Sequence, residues 1–368
     1  MSEPTAERRG WFFLPGPTEV HPDVLCAQAR QPISHRGSEI QALLARIQEG
    51  LREVFQTARP VLVSTSSATG LMEAGLLNGG RGRVLATVCG AFSARFAEIA
   101  QDLGRDVDVL EVPWGEAIDP GAVADRVSSG RYQVVTVVHN ETSTGVINRV
   151  DRIAEAVRQR TPEALVLVDS VSGLSGAEMR PDAWGLDWVL TGSQKALALP
   201  PGLAFATWSE RFAAAASETA GRGMYFDLAR FEAQLDKHQT PTTPAVTLLY
   251  ALDVQLQRIR AEGVEARWAR HEAMARRTWA WVEELHDRGV YVEVLAPEGC
   301  RSPTVTCVRL PRERSGPEVV ARMRERGWVI GGGYGRLKET TIRIGHMGEH
   351  DVSTLEPLLA DLTEVLTE

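Results

Sequence analysis

Short apolar runs separated by helical stretches constrain this chain more than any other feature. Val61 to Ser64, Arg83 to Val88, Val107 to Val112, Val134 to Val138, Leu165 to Val168, Trp188 to Leu190 and Leu203 to Thr207 are too short for helices and too apolar for solvated loops. Helical periodicity fills the gaps: Leu71 to Asn78, a segment carrying Phe96, Ile99 and Leu103, and Val150 to about Arg158. Alternation of this kind predicts an α/β fold, with a mainly parallel sheet of about seven strands covered on both faces.

Both ends of the chain read differently. From residue 263 a long Arg/Trp/Glu helical stretch gives way to strand-like runs at Tyr291 to Leu295, Thr304 to Leu310, Trp328 to Ile330 and Thr341 to Ile344. A terminal amphipathic helix follows, with Val352, Leu355, Leu358, Leu359, Leu362 and Val365 on one face. The reading is therefore an N-terminal extension over 1–15, a large domain over 16–262 and a smaller α+β domain over 263–368. Near the start, Ser38 and Gln41 have the spacing of a capping box, and Ile40, Leu43, Leu44, Ile47, Leu51, Val54 and Phe55 recur at helical spacing after them.

A net charge of −8 and the lack of a basic tract argue against nucleic acid as a partner. Arg267, Arg270, Arg276 and Arg277 are interleaved with acids on a helical pattern and are expected on a solvated face. The opening residues have no apolar core of a secretory signal, and no run is long enough to span a bilayer. Cys26, Cys89, Cys300 and Cys307 lack metal-ligand spacing, which favours free thiols in a reducing cytoplasm over a zinc site.

The chemistry is carried by Leu165-Val-Leu-Val-Asp-Ser-Val-Ser172 and Thr191-Gly-Ser-Gln-Lys-Ala-Leu-Ala-Leu-Pro-Pro-Gly202. An acid ending a buried strand lies where open α/β sheets bind ligands, and Lys195, in the loop after the next strand, can reach the same crevice. Pyridoxal phosphate needs that pair: an amine to form a Schiff base with its aldehyde and a carboxylate to hold its pyridine nitrogen protonated. Taken singly, Lys195 also reads as a surface lysine and Asp169 as a helix cap. Thr65-Ser-Ser-Ala-Thr-Gly70, between a strand and a helix, fits a single phosphate, and no Walker or dinucleotide string occurs.

The Ser-Gln-Lys-Ala, Val-Asp-Ser-Val and Arg-Ile-Gly strings, in that register, resemble the class V, fold-type I aminotransferases, in particular the alanine–glyoxylate and serine–glyoxylate group. The resemblance runs from about residue 11 to the end. It implies Lys195 as the cofactor-bearing lysine and Asp169 as the pyridinium partner. Ser67, Ala68, Thr69 and Gln194 fall on phosphate-binding positions, although many relatives have glycine and histidine where Ala68 and Thr69 stand. Phe92 matches the ring-stacking position, often Trp in relatives, with Val171 under the opposite ring face. Thr142 matches a contact to the ring hydroxyl or phosphate region, and Gly16 in Pro15-Gly-Pro17 runs close to the substrate. Arg343, inside an apolar strand, falls on the carboxylate clamp. Thr242 and the pair His35 and Arg36 match elements that serve the neighbouring subunit, so a homodimer with shared sites is implied. No second clamp for a distal acid stands out, and small donors, alanine or serine with glyoxylate or pyruvate, are expected. Other readings are a pyridoxal-phosphate lyase or cysteine desulfurase, whose usual histidine before the lysine is Gln194 here, and a cofactor-binding protein without turnover. Gly331-Gly-Gly-Tyr-Gly335 reads as a flexible loop or lid.

Overall fold

The computed structural model describes residues 10–368; the polar opening segment, residues 1–9, lies outside them. A two-residue strand β1 (Phe12–Phe13) is followed by helices α1 (Pro22–Ala27) and α2 (Ser38–Phe55). Then come β2 (Val61–Ser64), α3 (Ala68–Asn78), β3 (Arg83–Val88), α4 (Ala91–Asp102), β4 (Val107–Glu111), α5 (Pro120–Ser129) and β5 (Tyr132–Val138). A small hairpin, β6 (Asn140–Glu141) and β7 (Val146–Ile147), leads through α6 (Val150–Arg160) to β8 (Leu165–Asp169), β9 (Trp188–Gly192) and β10 (Ala204–Trp208). Helices α7 (Glu210–Glu218), α8 (Leu228–Leu235), α9 (Val246–Glu262) and α10 (Val264–Asp287) follow. The chain closes with β11 (Glu293–Val294), β12 (Val305–Arg309), α11 (Gly316–Glu325), β13 (Val329–Gly332), β14 (Thr341–Gly345) and α12 (Val352–Thr367).

The seven-stranded sheet has the order β2-β10-β9-β8-β5-β3-β4. It is parallel from β9 to β4, and only β10 runs against its neighbours. Alternation along each strand explains the two covering layers. Val166 and Val168 of β8 face the core shared with α2, α5, α6 and α9, whereas Leu165 and Leu167 face the core shared with α3, α4 and α7. Asp169 follows in the register of Leu165 and Leu167, so its carboxyl emerges on the α3 side. There α3 approaches closely. Trp188 Nε1 donates to the Leu71 carbonyl at 3.2 Å, and a Cβ on Gly75 would meet the Trp188 indole at 2.9 Å.

The second sheet, β1-β13-β14-β12-β11, packs its core against α10, α11 and α12. Three expectations change here. Phe12 and Phe13, assigned to an extension over 1–15, pair in parallel with Val329 and Ile330. The driving force is burial: Phe13 is fully enclosed and stacks on His350 at 4.2 Å between ring centroids. Secondly, α2 is capped by Gly37, with no side-chain hydrogen bond; Ser38 is already helical, so no capping box forms with Gln41. Thirdly, Arg267 is not solvated but 1% exposed, paired with Glu262 and Glu349 and donating to Ser175 Oγ and the Ala196 carbonyl. Four acceptors replace its water shell.

Candidate active site

Strand ends, the α3 N-terminus and the opening Pro15-Gly-Pro-Thr18 segment enclose a cavity of about 220 Å³. Gly16, Ser67, Ala68, Thr69, Phe92, Thr142, Asp169, Val171, Gln194 and Lys195 all line it, brought together from six separate stretches of sequence. A larger cavity, about 730 Å³, lies at the opposite strand ends beside Arg83, Tyr132 and Leu165, and contains no lysine. The smaller one is the candidate site, because a lysine and an acid line it together.

The sequence has three lysines. Lys237 and Lys338 are exposed, whereas Lys195 is 9% exposed. Its amine donates to the Pro15 carbonyl, and Thr18 binds the same loop from the other side. Thr18 Oγ1 donates to the Lys195 carbonyl at 3.2 Å and the Thr18 N–H to the Gln194 carbonyl, also at 3.2 Å. Gly16 is held at φ +90°, and a Cβ there would stand 2.7 Å from both Lys195 Cε and Nζ. Glycine is what allows that passage. Burial, and secondarily the Arg343 charge, lower the Lys195 amine to about 8, so a sizeable neutral fraction exists near neutrality.

Asp169 is 3% exposed, and its Oδ1 accepts from the Val171 N–H at 2.7 Å. No donor reaches Oδ2 among the described residues. Burial raises the carboxyl to about 7, with the Glu141 charge adding to the rise. An acid in that condition calls for a cationic partner from the cavity, which a protonated pyridine nitrogen supplies. At another wall, Ser67 caps α3 without a side-chain bond; the Gly70 N–H donates to the Ser67 carbonyl at 3.0 Å, which leaves the Ala68 and Thr69 N–H groups and the positive end of the dipole for an anion. Phe92 and Val171 stand on the same cavity. The residues present therefore fit pyridoxal phosphate: an anion at α3, a ring near Phe92 and Val171, a cationic nitrogen at Asp169 and an aldehyde at Lys195.

Two expected residues lie off the cavity wall. Arg343, in β14, donates from Nε to the Gly332 carbonyl at 2.8 Å and from Nη1 to the Thr142 carbonyl at 3.3 Å. It nonetheless lies near enough to act on the Lys195 amine, and burial lowers its own proton affinity. Thr242 is on the 239–245 segment, its carbonyl accepting from Thr240 Oγ1 at 2.7 Å. Arg36 fastens that segment within its own chain, donating to the Thr240 carbonyl at 2.7 Å and to the Pro241 carbonyl and Gln239 Oε1 at 3.4 Å.

Met72, Arg95, Asn140 and Ser172 also line the cavity and were not expected. Ser172 Oγ is 2.5 Å from Thr142 Oγ1, a hydrogen bond in which either hydroxyl can donate. Arg95 could have been anticipated: three residues after Phe92 on α4, it falls on the same helix face. Glu141 is fully buried and accepts from the N–H groups of Phe92, Ser93 and Ser143 and the hydroxyls of Ser93 and Ser143. It thereby anchors the α4 N-terminus that carries Phe92.

Comparisons with known proteins show the family. The aminotransferase class-V family model matches residues 23–325. An uncharacterised aminotransferase of Methanocaldococcus jannaschii is 38% identical over 92% of this chain and 87% of its own length. A protein named as the small subunit of a soluble hydrogenase in Synechococcus is 35% identical over 96% of this chain and 94% of its own. The crystal structure of an alanine–glyoxylate aminotransferase from Nostoc superposes with a TM-score of 0.91 at 30% identity, covering 97% of this chain and 95% of that one. From the matched family and these relatives, the chain belongs to the class-V aminotransferases, which depend on pyridoxal phosphate and have the fold-type I architecture.

Proposed function

We propose that this protein transfers the amino group of a small α-amino acid, alanine or serine, to glyoxylate or pyruvate, as a cytoplasmic homodimer whose two sites are shared. The observation that carries the reading is the enclosed pair of Lys195 and Asp169, the lysine beside Gly16 and the acid with one oxygen free toward the cavity. Bound pyridoxal phosphate supplies the electron sink for the electrons left on the substrate Cα.

The protein's own groups do the rest. Ser67, Ala68, Thr69 and Gln194 hold the phosphate, joined by Thr242 of the partner subunit. Phe92 and Val171 confine the ring, Thr142 meets its hydroxyl, and Asp169 keeps a proton on the pyridine nitrogen. Arg343 takes the α-carboxylate, the Gly16 backbone edges the substrate, and Lys195 Nζ, at about 8, accepts the proton from Cα.

Dimerisation is supported by Met224 and Tyr225, 64% and 46% exposed, on the segment before α8. Among the described residues no helix is long and apolar enough to cross a membrane. Against the desulfurase reading, Gln194 stands where those enzymes usually have histidine, Cys307 is buried in β12 with its thiol pushed up to about 11, and burial also raises the thiol of the half-buried Cys300. A screen of purified holoenzyme with alanine and serine against glyoxylate and pyruvate tests the proposal. Turnover of at least one pair is expected; spectral inertness toward both donors would exclude it.

A further inference from the structure

The Gly331 to Gly335 loop is held closely for so glycine-rich a segment. The Gly333 N–H donates to the Thr341 carbonyl at 2.9 Å, and a Cβ on Gly333 would collide with the Leu337 carbonyl. Trp114 packs against Gly335, and its ring takes the Arg336 guanidinium carbon 4.1 Å from the centroid. The loop thereby presents Tyr334, half-buried, toward three neighbours. Its hydroxyl accepts from Arg95 Nη2 at 3.2 Å, its ring stacks on Phe92 with centroids 5.4 Å apart, and the Arg343 guanidinium carbon lies 5.5 Å from its ring centroid. Arg95 in turn lies over the Phe92 ring at 5.0 Å. One side chain thus touches both Phe92 and Arg343. Arg343 has two hydrogen bonds, from Nε to the Gly332 carbonyl and from Nη1 to the Thr142 carbonyl. Both Nη2 hydrogens and one on Nη1 remain for a carboxylate. Carbonyls fix where Nε and Nη1 point, while a ring against the flat face limits tilting of the plane.

We propose that Tyr334 is a positioning residue for the substrate: its ring sets the plane of the Arg343 guanidinium for the α-carboxylate, and Arg95 and Phe92 hold the ring in place. This rests on the transaminase reading and on Arg343 taking the α-carboxylate. Two-pronged recognition of a carboxylate depends on the plane of the guanidinium, so a tilt weakens the contact without removing the charge. The carboxylate keeps its charge throughout the reaction, so the contact acts on substrate and transition state alike. KM rather than kcat should therefore respond when Tyr334 is changed.

Titration calorimetry of the holoenzyme with butyrate, a carboxylate without an amine, reads the contact without turnover. Tyr334→Leu, which removes the ring, should weaken butyrate roughly 3- to 30-fold, the range of a cation–π contact between exposed and desolvated sites. Tyr334→Gln, which keeps an acceptor for Arg95 but no ring, should show the same loss and carries the test if Tyr334→Leu does not fold. Tyr334→Phe, which keeps the ring, should retain most of the wild-type affinity. In an Arg343→Gln background the loss of the ring should have no further effect. With whichever of alanine or serine turns over, KM should rise by the same factor while kcat changes little. Ethylamine, which has no carboxylate, should bind the ring-less variants as tightly as the wild type, followed by cofactor absorbance. Unchanged butyrate affinity in a ring-less variant overturns the proposal. So does a loss shared by ethylamine, a loss that persists in full without Arg343, or a Tyr334→Phe loss as large as that of Arg343→Gln. Butyrate binding that Arg343→Gln leaves unchanged, including none in the wild type, removes the clamp and this proposal with it. A ring effect on butyrate without turnover of alanine or serine removes only the donor assignment.

Discussion

Gly16→Ala is the substitution whose effect the geometry fixes most closely. Two costs can be separated. An L-residue at φ +90° incurs backbone strain on the order of 1–2 kcal/mol. In a chain of this length that lowers Tm by about 1–3 °C. The second cost falls on Lys195. The new methyl would lie 2.7 Å from Cε and Nζ, so ordinary contact requires the amine to retreat by roughly 0.7–1 Å. The lysine is enclosed and cannot swing into solvent. Displacement of a reacting group by about 1 Å costs up to a hundredfold, so kcat/KM should fall roughly ten- to a hundredfold. Gly289→Ala is the control. It sits at φ +82° with nothing within 4 Å of its Cβ, so it carries the strain without the collision. Paired melting curves and steady-state kinetics with one amino donor decide. If both variants lose similar Tm and Gly16→Ala keeps the kcat/KM of Gly289→Ala, the assigned approach of Gly16 to Lys195 is wrong.

Other outcomes follow from the same site. Asp169→Asn should retain the fold but lose most turnover, because an amide cannot hold the pyridine nitrogen protonated; near-wild-type rates would reduce Asp169 to a cap. The same variant should stabilise the cofactor-free protein at alkaline pH. Asp169 is raised from 3.8 to about 7, so burying its charge costs nothing below pH 4 and up to about 4 kcal/mol above pH 7. Melting curves at pH 4 and pH 8 should show the gap only at pH 8. With Lys195 lowered from 10.5 to about 8, the rate of pyridoxal phosphate capture by cofactor-free protein should level off just above pH 8, and at pH 7 be roughly 300-fold faster than an unshifted lysine allows; stopped-flow absorbance rising steadily to pH 10 contradicts this. Mixing Lys195→Ala chains with Thr242→Ala chains should restore part of the activity if sites are shared, since one site of each mixed dimer then carries neither lesion; no recovery removes Thr242 from the partner's site.

The sheet was legible because its strands are nearly continuous apolar runs, a pattern buried parallel strands impose whatever surrounds them. Lys195 and Asp169 were legible only as a pair: singly they read as a surface lysine and a helix cap, and it was their spacing and the flanking Ser-Gln-Lys-Ala and Val-Asp-Ser-Val strings that set them together. What escaped depended on distant partners. Arg267 reads as a helix-face arginine until Glu349, far along the chain, meets it in the interior. Phe12 and Phe13 read as an extension because nothing local announces that β13 offers them a free edge. Arg95 was overlooked because its signal is its helical spacing from Phe92, which has meaning only once Phe92 is placed at the cavity. The missing capping box is a local error: Gly37, one residue earlier, takes the cap position without a side chain.

The central claim is that Lys195 is the residue that carries the cofactor. Borohydride reduction of the yellow holoenzyme fixes the cofactor to whichever lysine holds it, and peptide mapping by mass spectrometry then identifies that lysine among only three. The account predicts a single modified peptide containing Lys195, with no label in Lys195→Ala; label on Lys237 or Lys338, or persistent stoichiometric label in the variant, would contradict it.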